Sequence, residues 1–308
     1  MQPKAIIQRL ALIRRELHAL AEPPGKEKCT AAYVADLLRS CSPTRLLTGL
    51  GGHGLIAEFA GPAPGPRVGL RAELDGLSAN QGARHGCGHD GHMTLLCGVA
   101  LGLAQSPPRS GSVVWIFQPA EETGQGAAAM LADPCWPDIA PDLIYAVHNL
   151  PGLPFSQVAI REGVMCLASV GLNASLTGAA SHAAQPEKGR SPAPALARLL
   201  AEMPGLAREG ELLTLTHARL GEEGFGTAPG QALLCATLRA SSDQALDSLR
   251  VRAERLIDET ASVYDLTYNA QWPEPFAAAI NHPQAAEIVR QAVEEWLALD
   301  KADQDKEA

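Results

Sequence analysis

Ser112-Val113-Val114-Trp115-Ile116-Phe117 is an apolar, mostly β-branched and aromatic run that leads directly into Gln118-Pro119-Ala120-Glu121-Glu122. A short run of this kind reads as a strand buried on both faces. Two further runs behave alike: residues 68–72 lead to Asp75, and residues 143–147 close on His148. Apolar residues at helical spacing predict helices over 93–104 and 127–132 between them. Strands alternating with helices imply an α/β domain with a mixed, mostly parallel sheet covered on both faces. Ligands in open α/β sheets bind beyond the carboxyl ends of the strands. Three separate segments therefore bring acids and an imidazole to one sheet edge.

Outward from this centre, Ile6, Ile7, Leu10, Ile13, Leu17 and Leu20 mark an amphipathic first helix, and a second is predicted over 30–38. A strand over 55–59 is separated from 68–72 by the turn-rich Gly61-Pro62-Ala63-Pro64-Gly65-Pro66. After residue 166 the pattern changes. Strands over 170–176, 212–220, 232–238 and 266–271, with helices over 193–202 and 245–264, give the order β-α-β-β-α-β of a ferredoxin-like unit. The reading is a discontinuous first domain, 1–165 plus 273–308, with 166–272 inserted into it. A last helix is expected over 283–299, followed by a charged, frayed tail over 300–308.

The chain of 308 residues is long enough for two cores, and its apolar fraction of 46% is that of a globular protein. A net charge of −9 without a basic block argues against nucleic acid or an anionic membrane as partner. The first twenty residues carry arginines among their apolar positions and lack a signal-peptide layout, and no stretch approaches the length of a membrane span. Seven cysteines without a CxxC pair argue against a disulfide framework and for a reducing cytoplasm.

In Cys87-Gly88-His89 a thiolate and an imidazole stand two apart with a glycine to turn the backbone. That donor pair favours Zn²⁺ or another late first-row ion. Glu121-Glu122 is a sharper signal. Adjacent acids after a buried strand repel one another unless a cation is near, and one can bind an ion while the other accepts a proton from its water. Each piece also has a plainer explanation: a helix N-terminus for the acids, a strand-end hydrogen bond for His148, a turn cap for Asp75. Their conjunction, in order and at one sheet edge, favours a metal-activated water attacking an amide bond. His92 reads as shaping the turn.

The run His85-Gly86-Cys87-Gly88-His89-Asp90-Gly91-His92 closely resembles the HxCGHDGH signature of the M20 metallopeptidase family. The similarity is to its amidohydrolase/aminoacylase branch, which includes hippurate hydrolases and plant auxin-conjugate hydrolases. Arg71-Ala72-Glu73-Leu74-Asp75-Gly76-Leu77, Phe117-Gln118-Pro119-Ala120-Glu121-Glu122, His148-Asn149-Leu150-Pro151 and Ser181-His182-Ala183-Ala184-Gln185-Pro186 resemble further motifs of that branch, in the same order. The resemblance implies a catalytic domain holding two divalent ions (zinc or manganese, with nickel or cobalt as alternatives) and a smaller inserted domain serving as lid and dimer interface. It implies Cys87, His89, Glu122 and His148 as ligands, Glu121 as general base, Asp75 as the group orienting a ligand, and His182 as a substrate contact. It also implies cleavage of small N-acyl amino acids, by a homodimer joined through the inserted domain. The pattern departs from the family in a short segment between Leu77 and His85. It departs again after His282, where no histidine follows to act as the family's last ligand, so the resemblance leaves open whether the second metal site is weak, empty or completed by an Asp or Glu from elsewhere. Two other readings stay open: a relative that binds without turnover, and a cysteine hydrolase using Cys87.

Overall fold

The computed structural model describes residues 3–80, 82–154 and 157–307. The chain divides into two compact units, Met1–Gln157 and Val158–Ala308.

The first unit is built on five strands: β1 (Arg45–Leu50), β2 (Gly54–Ala60), β3 (Ala63–Glu73), β4 (Ser110–Gln118) and β5 (Leu143–Ala146), in the spatial order β1-β2-β4-β3-β5. β4 supplies the logic. Trp115 and Phe117 face one side, where they pack with Leu17 of α1 (Pro3–Ala19), Val34 and Leu38 of α2 (Lys28–Ser40) and Met93 of α3 (His89–Leu103). Val114 and Ile116 face the other, against Met130 of α4 (Gly126–Leu131) and Ile139. A strand whose alternate residues enter two cores must read as a continuous apolar run, and burial of each large side chain contributes about 1.5–3 kcal/mol.

β3 pairs parallel with both β4 and β5, whereas β2 pairs antiparallel with β1 and with β4. The sheet is thus evenly mixed, which corrects the expectation of a mostly parallel one. The source of the difference is β1. Arg45, Thr48 and Gly49 interrupt its apolar pattern, so the β1–β2 hairpin carried no strand signal on that side. The parallel trio β4-β3-β5 sends its carboxyl ends to one edge, with Arg71 opposite both Ile116 and Ala146 and Glu73 opposite Gln118.

The second unit contains β6 (Ala168–Thr177), α5 (Ala193–Glu202), β7 (Glu211–Leu220), β8 (Gln231–Ala240), α6 (Asp243–Val263) and β9 (Thr267–Gln271). Its sheet is antiparallel throughout in the order β7-β8-β6-β9, the βαββαβ arrangement. Val170, Leu172, Ala174 and Leu176 alternate along β6 into one core with Leu249, Ala253, Leu256 and Ile257 of α6. Ser242 caps α6, its side chain accepting from the Ala245 N–H. Gly163–Cys166 pairs antiparallel with Ala279–Asn281. The final helix, α7 (Pro283–Glu307), continues through the segment expected to fray, and Ala308 lies outside the described residues. No helix among the described residues is long and apolar enough to cross a membrane.

Two glycines test this packing in opposite senses. A Cβ on Gly126 would lie 1.5 Å from the Pro119 carbonyl oxygen, whereas one on Gly102, in α3, would meet nothing within 4 Å. Gly126→Ala is therefore expected to lose about 1–3 kcal/mol by overpacking. Gly102→Ala should gain up to about 1 kcal/mol from helix propensity. Urea unfolding of the two variants checks both signs.

Candidate metal centre

The turn after β3, the N-terminus of α3, the turn after β4 and the segment after β5 converge at the carboxyl edge of the parallel strands. Gly88 starts α3 in the left-handed region, φ 85°, which a residue with a side chain rarely adopts. Cys87 and His89 on either side of it then reach one place. Cys87, His89 and Glu122 have donor atoms within 4.8 Å of one another, and His89, His92 and His148 form a second such group.

The local backbone explains how each donor is presented. His89 is buried, and its Nδ1 lies 2.8 Å from the Asp75 carbonyl oxygen, so that Nδ1 donates and the Nε2 lone pair is left free. The Asp75 carboxylate serves the acidic turn. Its Oδ2 accepts from the Glu122 N–H at 2.9 Å, while Oδ1 stands 3.7 Å from His89 Nδ1. Asp75 thus orients the histidine through its main chain and the acidic turn through its side chain. Ala120 opens that turn at φ 46°, a strained conformation for a residue with a Cβ. It is held by the buried Glu27, whose Oε1 accepts from the Ala120 N–H at 2.7 Å. Nothing in the sequence around Glu27, which follows Pro23-Pro24-Gly25, signalled that role.

The electrostatics divide the edge in two. Glu73 is almost wholly buried, and burial alone would raise its pKa. The hydrogen bond from His92 Nδ1 at 2.9 Å, with the Arg71 guanidinium and the charges of His89 and His92, instead carries it down to about 2. Arg71 also holds the Gln118 side-chain oxygen from Nε at 3.0 Å. In the other half burial outweighs the hydrogen bonds and cations nearby. Burial raises Asp75 and Glu121 above the ordinary carboxylate range. Burial, the hydrogen bond to Glu122 and the charges of Glu122, Glu121 and Asp75 push the Cys87 thiol up to about 12.

These residues fit a divalent cation. Glu122 Oε1 and Asp75 Oδ1 are buried without a hydrogen-bond partner. His89 Nε2 lies 3.8 Å from both Glu121 Oε2 and Glu122 Oε1, too far for a hydrogen bond. Two donors each ~2.1 Å from a tetrahedral ion stand about 3.4 Å apart, close to that separation. A cation there would give Glu122 Oε1 a partner and return Cys87 to a thiolate.

Of the expected site residues, Cys87, His89, Glu121, Glu122, His148 and Asp75 come together in the first unit. His148 is exposed, and its ring meets that of His89 edge-on at 6.2 Å. His182 belongs to the second unit, in the two-residue strand Ser181–His182, and the Ala184 N–H donates to its Nδ1 at 3.1 Å. Arg71, Glu73 and Glu27 were not singled out from the sequence. Glu73 had a signal, an acid at the inner end of an apolar strand, where a charge persists only if paired.

Residues 69–307 match the family model of peptidase family M20/M25/M40. An N-acetyldiaminopimelate deacetylase of Geobacillus thermodenitrificans (strain NG80-2) is 30% identical over 284 residues, covering 86% of this chain and 75% of that protein. A Bacillus subtilis protein, YXEP, described as a dinuclear metal binding peptidase from the M20 family, superposes with a TM-score of 0.76 at 24% identity, over 96% of this chain and 81% of that one. The aminobenzoyl-glutamate utilization protein of Klebsiella pneumoniae superposes with a TM-score of 0.74 at 23% identity, over 94% and 81% of the two chains. With a family match over most of its length and the motif residues gathered at one sheet edge, the chain belongs to peptidase family M20/M25/M40 and is a hydrolase of that family.

Proposed function

We propose that the protein is a metal-dependent amidohydrolase acting on small N-acyl amino acids. The observation that carries this reading is the Cys87–His89–Glu122 donor group with an orphaned carboxylate oxygen and a second carboxylate, Glu121, at its side. Cys87, His89, Glu122 and His148 would hold two divalent ions, zinc or manganese, with nickel or cobalt as alternatives. Bound there, such ions would acidify water and polarise the acyl carbonyl. Glu121 is the base in this reading: its Oε2 faces the donor group, and burial raises its proton affinity, which suits an acid–base group. It would take the proton of the attacking water and pass it to the leaving amide nitrogen. Asp75 keeps His89 and the acidic turn in place. With the Ala184 N–H on its Nδ1, neutral His182 carries its proton on Nε2, a donor suited to a substrate oxygen.

The substrate class is supported by the deacetylase among the relatives, and N-acetyldiaminopimelate is the first compound to try. The remaining organisation is part of the same proposal. Residues 166–272 would form a lid and dimer-forming insertion within a catalytic domain of 1–165 plus 273–308. The antiparallel pairing of Gly163–Cys166 with Ala279–Asn281 supports it, because the chain enters and leaves the βαββαβ unit side by side. A cytoplasmic location is supported by seven cysteines that are all free thiols.

Two measurements test the reading. Metal analysis of the purified protein, paired with hydrolysis of an N-acyl-amino-acid panel, should show chelator-sensitive turnover restored by Mn²⁺ or Zn²⁺. Turnover that survives chelation would point to a thiol enzyme built on Cys87, and bound metal without turnover on any panel member to a relative that binds only. Second, Glu121→Gln should lower kcat by about 10²–10⁴-fold. Its metal content should stay at the wild-type level, whereas His89→Ala should lose metal together with activity.

A further inference from the structure

Of the three histidines grouped at the edge, His92 is the one engaged at both ring nitrogens. Its Nδ1 lies 2.9 Å from Glu73 Oε2, and its Nε2 lies 2.8 Å from Asn149 Oδ1 and 3.0 Å from Asn149 N. His89 and His148 each commit only Nδ1, to the carbonyl oxygens of Asp75 and Asn149, both at 2.8 Å. Their Nε2 atoms remain as donors. His92 is therefore poorly placed to bind an ion itself, and well placed to hold something else.

What it holds is the segment that carries His148. β5 ends at Ala146, and the residues from Ala146 to Pro154 are all exposed, so packing does not position them. Asn149 is the anchor. His92 grips it in either protonation state: as imidazolium it donates to Oδ1, and as neutral imidazole it accepts the main-chain N–H. The Asn149 amide lies over Gly88, where a Cβ would come 2.6 Å from its Oδ1, so the glycine that opens α3 also makes room for the anchor. The Asn149 carbonyl then accepts a hydrogen bond from His148 Nδ1–H, and the His148 ring rests edge-on against His92 with centroids 4.6 Å apart. One chain of contacts runs from the end of β3, through α3, to the exposed ring.

We propose that Glu73, His92 and Asn149 are positioning residues that fix the tautomer and direction of His148, and so set the affinity of the ion His148 holds. This rests on reading the edge as a metal centre. Partners that orient a ligand histidine typically tune metal affinity by about 10–100-fold.

Stripped protein titrated with Co²⁺, followed by visible absorption and calorimetry, separates the possibilities. Wild type should bind two ions. Asn149→Ala and His92→Gln should each weaken one of them by about 10–100-fold and leave the other unchanged, reproducing in part the effect of His148→Ala. Asn149 is exposed, so its variant should keep the thermal midpoint of the metal-free protein, which guards against a loss of fold in the His92 variant. A purely structural Glu73–His92 pair would lower the thermal midpoint of His92→Gln and leave both Co²⁺ affinities intact in both variants. That result would overturn this proposal alone. A wild-type protein that binds no Co²⁺ would overturn it together with the metal-centre reading.

Discussion

Parallel pairing of β3 with β4 is the constraint on which the rest of the first unit depends. The register that sets Glu73 opposite Gln118 makes the two strands end together, and Leu74 N–H donates to the Gln118 carbonyl at 2.8 Å just beyond. From that shared end the chain must turn in two places only a strand apart. Asp75 belongs to one turn and Glu121 and Glu122 to the other. The Asp75 carboxylate, bonded to the Glu122 N–H, ties them. The convergence of acids is thus a consequence of strand register. β5, parallel on the other side of β3, brings the His148 segment to the same edge.

Charge balance then separates two kinds of buried acid that the sequence presents alike. Glu73 is neutralised from within by Arg71 and His92, and its proton affinity falls despite burial. Asp75 and Glu121 lie close by and shift the opposite way, because burial outweighs the cations near them. Desolvated like charges are costly unless a partner is supplied. The self-neutral half serves as framework, and the half in which burial dominates is the one whose donors would gain from a divalent cation. The positive φ of Ala120, held by the buried Glu27, opens the turn that carries the two carboxylates.

Much of this was legible before any coordinates. The continuous apolar run of β4 and the helical spacing of α1, α3 and α6 identified the elements, because a residue's burial on one face or two leaves a period in the sequence. The βαββαβ order of the second unit followed from the same pattern. β1 was illegible because polar residues and glycine interrupt its period, and its absence turned an evenly mixed sheet into an apparently parallel one. The last helix outran its apolar signal. Its charged end from Asp300 carries no apolar period, while the backbone runs on as helix to Glu307.

By itself the sequence determined which donors the protein owns and in what order: a thiol, imidazoles and paired carboxylates, each placed just past a strand or at a helix start. Those identities depend only on local composition and spacing. Tertiary structure alone decided which atoms do what. It gave the carbonyl of Asp75, not its carboxylate, to His89, and it occupied both nitrogens of His92 while leaving one free on His89 and His148. It also recruited Glu27 and Glu73, distant in the chain, as braces. Apart from the bond of His148 to its neighbour Asn149, these roles depend on hydrogen-bond partners 14 to 93 residues away, and no period or motif encodes a partner at such a separation.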